Sequence, residues 1–347
     1  MPSWTSIEPR EGTNWIQWRT LLEGVVLGVL YGLFLRGAMG NHGSTNSVFH
    51  RLFGQVFSVM SLAFIFFGPV VIGYLTIYRA ARRGPVPVWQ WIFAPWLSIV
   101  LTCLVTFLLG SEGRICIIFL APIALIGSTV GGVLAGLTSR QFAKHSGTTT
   151  VCLALFPFLL APAESGFDRP LQTRTVQSEV LIHASPSTVW SNIERVPAIA
   201  PSEIHTTWAQ DIGFPRPVEA TLSHEGVGGV RHASFERGLM FIETITDWQP
   251  ERRLAFSIKA DTAHIPPTTL DEHVTIGGRY FDVLNGEYRI EPLSNGNVLL
   301  HLTSHERLST DFNGYAGLWT DAVMQNLQTS ILQVIKNRCE NQERSPQ

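Results

Sequence analysis

Twenty-six consecutive residues, Phe53–Tyr78, carry no charge. That run exceeds the roughly 20 apolar residues needed to cross the hydrocarbon of a bilayer. It is one of five apolar segments in the first half of the chain, at about 18–36, 53–78, 88–110, 115–138 and 148–165. The second to fourth are amply long. The first reaches the length only with its flanking Trp18 and Thr20. The fifth is short and holds Pro157 and Pro162. Trp89, Trp91 and Trp96 gather near one end of the third, as an interfacial belt would. Residues 1–165 therefore predict an N-terminal α-helical transmembrane bundle of about five helices, in a cell (inner) membrane.

Charge divides the chain at the same place. Residues 1–165 hold ten Lys+Arg against five Asp+Glu, and residues 166–347 hold 15 against 22. The net charges of +5 and −7 give the −2 of the whole. A negative second half lacks the basic patch that a nucleic-acid footprint needs, so no nucleic acid is expected as a partner. The four cysteines form no CxxC or Cys/His ligand spacing, which leaves no signalled metal site. The N-terminus, with Glu8, Arg10 and Glu11, does not read as a cleavable signal peptide.

Basic residues set the expected orientation. Arg10, Arg19, Arg79, Arg82, Arg83, Arg140 and Lys144 fall on one side of the spans, and Arg36, Arg51 and Arg114 on the other. The positive-inside rule puts the N-terminus in the cytoplasm. Five spans would then place the C-terminal domain outside the cytoplasm, in the periplasm. A fifth segment that does not cross would place it inside. Gly24, Gly28 and Gly32 make a doubled GxxxG in the first span, and Gly127/Gly131 with Gly132/Gly136 do so in the fourth. Such faces serve either a homo-oligomer or close packing within one bundle.

A short linker, 166–172, leads into a region of different pattern. Glu179-Val-Leu-Ile-His-Ala-Ser-Pro-Ser-Thr-Val-Trp-Ser-Asn-Ile193 reads as a strand turning into a helix. Val176, Ser178, Val180 and Ile182 share one face at period 2. Ser185 suits an N-cap and Pro186 the first helical position. Residues 196–216 hold three prolines and predict a short second helix. Six strand patterns follow: 217–223, 230–237, 239–248, 253–259, 280–292 and 298–307. Glu225–Gly229, Gln249–Arg252 and the Asn-Gly of Leu293–Gly296 supply turns between them. Leu318, Trp319, Ala322, Val323, Leu327, Ile331, Val334 and Ile335 then repeat at helical spacing over about 315–338. An antiparallel sheet curled around one long helix buries both apolar faces, giving a C-terminal α+β helix-grip domain.

The Val-Leu-Ile-His-Ala-Ser-Pro-Ser-Thr-Val-Trp stretch resembles the opening of the START-like, or SRPBCC, superfamily. That group includes bacterial polyketide cyclase/dehydrase-like and lipid-transfer proteins. The resemblance continues through Phe241-Ile-Glu-Thr-Ile-Thr-Asp-Trp-Gln-Pro-Glu-Arg-Arg-Leu-Ala-Phe256 and Gly286-Glu-Tyr-Arg-Ile-Glu-Pro-Leu293, and covers 173–340, with 341–347 a tail. It implies a deep apolar cavity between sheet and C-terminal helix, with a lipid, polyketide or other hydrophobic small molecule as partner beside the bilayer. The family has no universal catalytic motif, so no catalytic residue is carried over.

Residues whose chemistry suits such a cavity are His232, Phe241, Glu243, Phe256, Tyr280, Tyr288, His301 and Trp319, with His273 and His305 as further histidines. Glu243, a histidine and Tyr288 would suffice for cyclase-type or dehydratase-type proton transfer. The same residues equally suit a solvated outer face, because both faces of these strands carry apolar groups. No cofactor is signalled: Gly226–Gly229 lacks both GxGxxG and the P-loop Lys. Binding of a hydrophobic ligand is the leading expectation. Catalysis, and a structural or signalling role, are the alternatives.

Overall fold

Apolar helices in the first half meet one another through glycine. The computed structural model describes residues 11–39, 58–141, 146–204, 206–261 and 276–344. Contacts divide it into two compact units, with the boundary at Asp168 and Arg169 and with Gly113–Cys116 grouped with the second unit. The first contains α1 (Glu11–Met39), a π-helical turn (Ala63–Phe67) running into α2 (Gly68–Arg83), α3 (Gln90–Leu108), α4 (Arg114–Gln141) and α5 (Ser146–Glu164). Among the described residues four helices are long and apolar enough to cross a membrane: Gln17–Met39, Ala63–Arg83, Gln90–Leu108 and Arg114–Thr138. The second starts later and ends later than the sequence pattern suggests. Residues 53–57 of that predicted span, like Arg10, Arg51 and Lys144 of the charge count, lie outside the described residues. The fifth helix forms, but its apolar part, Thr148–Glu164, is shorter.

Each GxxxG glycine is used inside this unit. A Cβ on Gly24 would lie 2.0 Å from the Thr76 carbonyl oxygen. On Gly131 it would lie 1.9 Å from that of Val70, and on Gly136 2.4 Å from the Trp91 ring. Of the two readings of these glycines, close packing within one bundle is the one the geometry has. The polar groups between the helices pair with one another: the Thr76 and Ser98 hydroxyls are 2.8 Å apart, and Thr76 Oγ1 donates to Ile72 O at 2.8 Å. Large apolar side chains such as Leu30, Phe34, Val100, Leu104 and Ile126 remain on the outside. Glu23 faces Arg19, Arg79 and Arg83 at 3.5–3.6 Å. Replacing Gly131 by Val should therefore lower the thermal midpoint of the full chain in detergent, on an overpacking cost of about 1–3 kcal/mol. Gly37→Ala, where a Cβ meets nothing within 4 Å, should leave it unchanged.

The second unit begins with β1 (Gln172–Ile182), α6 (Pro186–Glu194) and α7 (Trp208–Ile212). Six strands follow: β2 (Pro217–Leu222), β3 (Val230–Phe235), β4 (Met240–Gln249), β5 (Arg253–Asp261), β6 (Phe281–Pro292) and β7 (Val298–Leu308). The last helix is α8 (Asn313–Arg344). Ser185 caps α6 as the sequence predicts, accepting from Thr188 N at 3.2 Å, with Pro186 next. All pairings are antiparallel, in the order β1-β7-β6-β5-β4-β3-β2. Gly226 and Gly228, in the turn before β3, have φ of +101° and +88°, which a side chain would oppose.

Irregularities in register let the strands bend and keep their inner faces consistent. Bulges fall at Pro217/Glu219, Ile245/Asp247 and Val283/Asn285. The last of these explains why Val283 and then Gly286, Tyr288 and Ile290 are all buried, although their numbers change parity. On β1 and β7 the even residues point inward, and Leu300, Val298 and Ile182 are fully buried. Leu332, Ile335 and Cys339 of α8 pack with Leu254, Ile290 and Trp190 into one core. Burying each such aliphatic side chain contributes about 1.5–3 kcal/mol. The apolar stripe of α8 is rotated from the predicted one: Leu318 is 67% exposed and Ala322 is exposed, while Leu332 and Cys339 are buried.

Both sheet edges are covered, which removes the usual hazard of an open strand. Beside β2, Val196 exchanges backbone hydrogen bonds with Ala220 at 2.9 and 2.7 Å. Along β1, side chains of α8 take the free backbone groups. Gln328 Nε2 donates to Val176 O at 3.1 Å, Lys336 Nζ donates to Leu181 O at 2.5 Å, and Glu340 Oε1 accepts from His183 N at 3.1 Å.

Candidate functional site

Between α8 and the inner face of the sheet lies a cavity of about 110 Å³. Phe241, Phe256, Ile258, Leu302, Leu327 and Ile331 make most of its wall apolar. Met324, Leu327, Gln328 and Ile331, at helical i, i+3, i+4, i+7 spacing, form the α8 side. On β6 the glycine at 286 leaves room for the Phe256 ring, which a Cβ there would meet at 2.7 Å. The polar lining is small: Glu243, Tyr288, Ser304 and Gln328.

Glu243 is held by Arg231, its direct neighbour across the β3–β4 pairing. Arg231 is 4% exposed and Glu243 6%. Arg231 Nη1 donates to Glu243 Oε2, while Arg231 Nε is buried without a hydrogen-bond partner. The guanidinium carbon sits 5.8 Å from the centre of the Phe256 ring and 6.0 Å from that of Tyr288, within cation–π range. Burial pushes the Glu243 carboxyl above its ordinary range, and the Arg231 charge works against that shift. Burial likewise raises the Tyr288 phenol, again opposed by Arg231. The group is thus a charge pair in an apolar wall with an aromatic hydroxyl beside it.

Of the eight residues singled out from sequence, four line the cavity: Phe241, Glu243, Phe256 and Tyr288. The other four do not. His232 is exposed, because β3 turns Arg231 inward and its neighbour outward. His301 is buried, but on the opposite face from Leu300 and Leu302. It sits between Glu179 Oε2 at 3.2 Å and Glu291 Oε2 at 3.1 Å. Tyr280 is buried beside the sheet, with Arg169 5.3 Å from its ring centre. Trp319 stands edge-on to Tyr315, with ring centres 6.4 Å apart, and is off the α8 face that carries Met324 and Leu327. His305 bonds Asn285 on the outer face at 2.8 Å, and His273 lies outside the described residues. Among the described residues no group of three or more His, Cys, Asp or Glu is placed to hold a metal.

Arg231, Ser304 and Gln328 were not among the sequence candidates. For Arg231 a signal exists. Counting outward from the Phe235–Leu239 turn between β3 and β4 sets an Arg opposite a Glu on adjacent strands, which is a cross-strand charge pair.

A seven-stranded antiparallel sheet holds one 32-residue helix against its inner face. That geometry fits a helix-grip fold. No family model matches the chain, and no curated protein matches it. Solved structures match about half of it. The Zhui aromatase/cyclase from Streptomyces sp. R1128 is 17% identical, covering 50% of this chain and 98% of its own, at a TM-score of 0.33. A START superfamily protein from Mycobacterium smegmatis is 12% identical over 48% of this chain and 98% of its own, at 0.33. Truncated norcoclaurine synthase from Thalictrum flavum is 12% identical over 48% and 94%, at 0.31. The fold reading stands on strand order and α8, independently of these likenesses.

Removing one member of a buried ion pair leaves an uncompensated charge, at a cost of about 3–5 kcal/mol. Glu243→Ala should destabilise the full chain by that order in chemical unfolding followed by tryptophan fluorescence. The double change Arg231→Met with Glu243→Leu removes both charges and should recover most of the loss.

Proposed function

We infer that the C-terminal unit binds a hydrophobic small molecule bearing one polar group, and that the N-terminal helices hold the unit at a membrane. The observation that supports this most is a cavity with an apolar wall and a single buried charge pair, Arg231–Glu243, beside Tyr288. An apolar wall supplies affinity through burial, and a few fixed polar groups supply orientation. Glu243 or Tyr288 would face a hydroxyl on the ligand, with Arg231 behind the wall holding the Glu243 carboxylate.

Size narrows the ligand. An engineered apolar cavity of about 150 Å³ takes up one benzene ring. At about 110 Å³ the space beneath α8 is smaller than that, so a single-ring molecule enters with a small outward shift of the α8 side chains. The START-like resemblance implies a deeper cavity, and a long-chain lipid would enter only with α8 displaced. Four helices of membrane-crossing length, together with START-like sequence features, support a membrane-held carrier or sensor, whose ligand concentrates in the bilayer. The test uses the full chain in lipid nanodiscs, with 4-fluorophenol followed by fluorine NMR. Saturable binding that weakens at least tenfold in Leu327→Trp, which fills the cavity, is the expected result. Binding equal in the two proteins, or none in either, would count against the reading.

Acid–base chemistry on such a molecule is the second reading, favoured by Glu243 and Tyr288 sharing the cavity wall. It is weaker, because Glu243 is engaged by Arg231 and its proton transfer would break that pair.

The side of the membrane depends on α5. Its apolar 17 residues extend about 25 Å at 1.5 Å per residue, short of the ~30 Å hydrocarbon core. With α5 not crossing, four spans return the chain to the side of its N-terminus, which basic residues place in the cytoplasm. A reporter fused after Gln347 should then be active in the cytoplasm. Activity outside would mean that α5 spans, as a five-span bundle requires.

A further inference from the structure

Beyond the cavity wall, β7 carries a carboxylate that neither ligand binding nor folding explains. Glu306 is 0% exposed, and neither of its side-chain oxygens has a hydrogen-bond partner. Its inward direction is set by β7, where Ser304, Glu306 and Leu308 are all buried on the face turned to α8. The groups around it come from each packed element. From β1, Arg174 lies directly opposite in the pairing. From β6, the partner is Val283, which is apolar. From α8 come Asp321 and the backbone at Gly317, where a Cβ would meet the Arg174 guanidinium at 2.6 Å. From β7 itself comes Ser304, whose hydroxyl accepts from Gln328 Nε2 at 2.9 Å and so lies against the cavity.

One cation therefore stands between two carboxylates, and it is already committed. Arg174 Nε donates to Asp321 Oδ1 at 2.7 Å, and Arg174 Nη2 donates to Asp321 Oδ2. That two-point contact fastens the first half of α8 to β1. Ionised Glu306 would put a second negative charge into this contact, with no hydrogen bond to support it. Neutral Glu306 is compatible with it. Burial, and then the Asp321 charge, push the Glu306 carboxyl up to about 8, against the smaller pulls of Arg174 and of the nearby Ser304 hydroxyl.

We propose that Glu306 is a proton-operated latch, which must hold a proton for the first half of α8 to stay closed on β1 and β7. Loss of the proton turns the Arg174–Asp321 fastening into a three-charge cluster and releases that part of the helix. Met324 and Gln328 lie within two turns of Asp321, so release moves the cavity wall. The further statement that this admits ligand rests on the binding reading above, whereas the latch itself does not.

The sign follows from linkage. The carboxyl holds its proton up to about pH 8 when α8 is closed, and only up to its ordinary value near 4.5 when α8 is open. Closure is therefore fully stable below about 4.5. It weakens by up to about tenfold per pH unit from there to about 8, and changes no further above that. Hydrogen exchange by mass spectrometry, on the full chain in lipid nanodiscs between pH 5 and pH 9, reads this directly. After correction for intrinsic exchange, peptides covering 313–328 should open more readily as pH rises and level off near pH 8, while peptides of β4 and β5 should not follow. Glu306→Gln should abolish the dependence. Asp321→Asn should shift the levelling to lower pH, by removing the like charge and freeing Arg174. A flat wild-type profile, or a Glu306→Gln profile identical to wild type, would overturn the proposal. Should Glu306→Gln not fold, an Asp321→Asn profile that levels at the same pH as wild type would do so equally.

Discussion

An antiparallel sheet with one apolar face cannot stand alone in water, and in the C-terminal unit α8, with the short α6 beside it, supplies the second layer. Burial of α8 is thus the interaction on which the remainder depends. It closes the core through Leu332, Ile335 and Cys339. It also seals the free edge of β1 through Gln328, Lys336 and Glu340. The two tasks lie at different places along the helix. Its second half packs tightly against Ile182, Leu254 and Val298, whereas its first half, around Met324 and Leu327, spans a gap. The cavity lies where the first half of α8 and the inner face of the sheet do not close on one another.

Polar groups within this gap carry different costs. Arg231 and Glu243 neutralise one another, so their desolvation is largely offset by charge attraction in a medium of low dielectric. Glu306 has no such partner, since Arg174 is taken by Asp321. The first pair is stable but selective, an arrangement suited to recognition. The second is poised, because a proton decides whether the surroundings are tolerable. The unit places both on the inner face of the sheet, in contact with or next to the cavity.

Much of this architecture is legible in the sequence. Period-2 alternation over Val176–Ile182, the Ser185-Pro186 cap and the Asn-Gly turn before β7 all appear as expected, because each is a local rule with a local cause. What sequence alone cannot resolve is facing. Both faces of these strands carry apolar groups, so His301 on β7 and His232 on β3 were candidates although both point away from the cavity. Arg231 is marked only by its pairing, because its partner Glu243 lies on the neighbouring strand β4. Helix phase failed in the same way at Trp319: the aromatic is conspicuous, but the cavity face of α8 is set by Met324, Leu327 and Ile331. In the first half, glycine spacing revealed close helix contact, but only coordinates show that the contacts are within one chain.

Occupancy of the cavity beneath α8 by a hydrophobic molecule is the decisive property. Native mass spectrometry of the full chain, released from nanodiscs after purification from its own membrane, tests this most directly. A discrete small-molecule adduct at one per chain, absent from Leu327→Trp, is the predicted result. A wild-type spectrum without any adduct, or one in which Leu327→Trp retains the same mass, would contradict it.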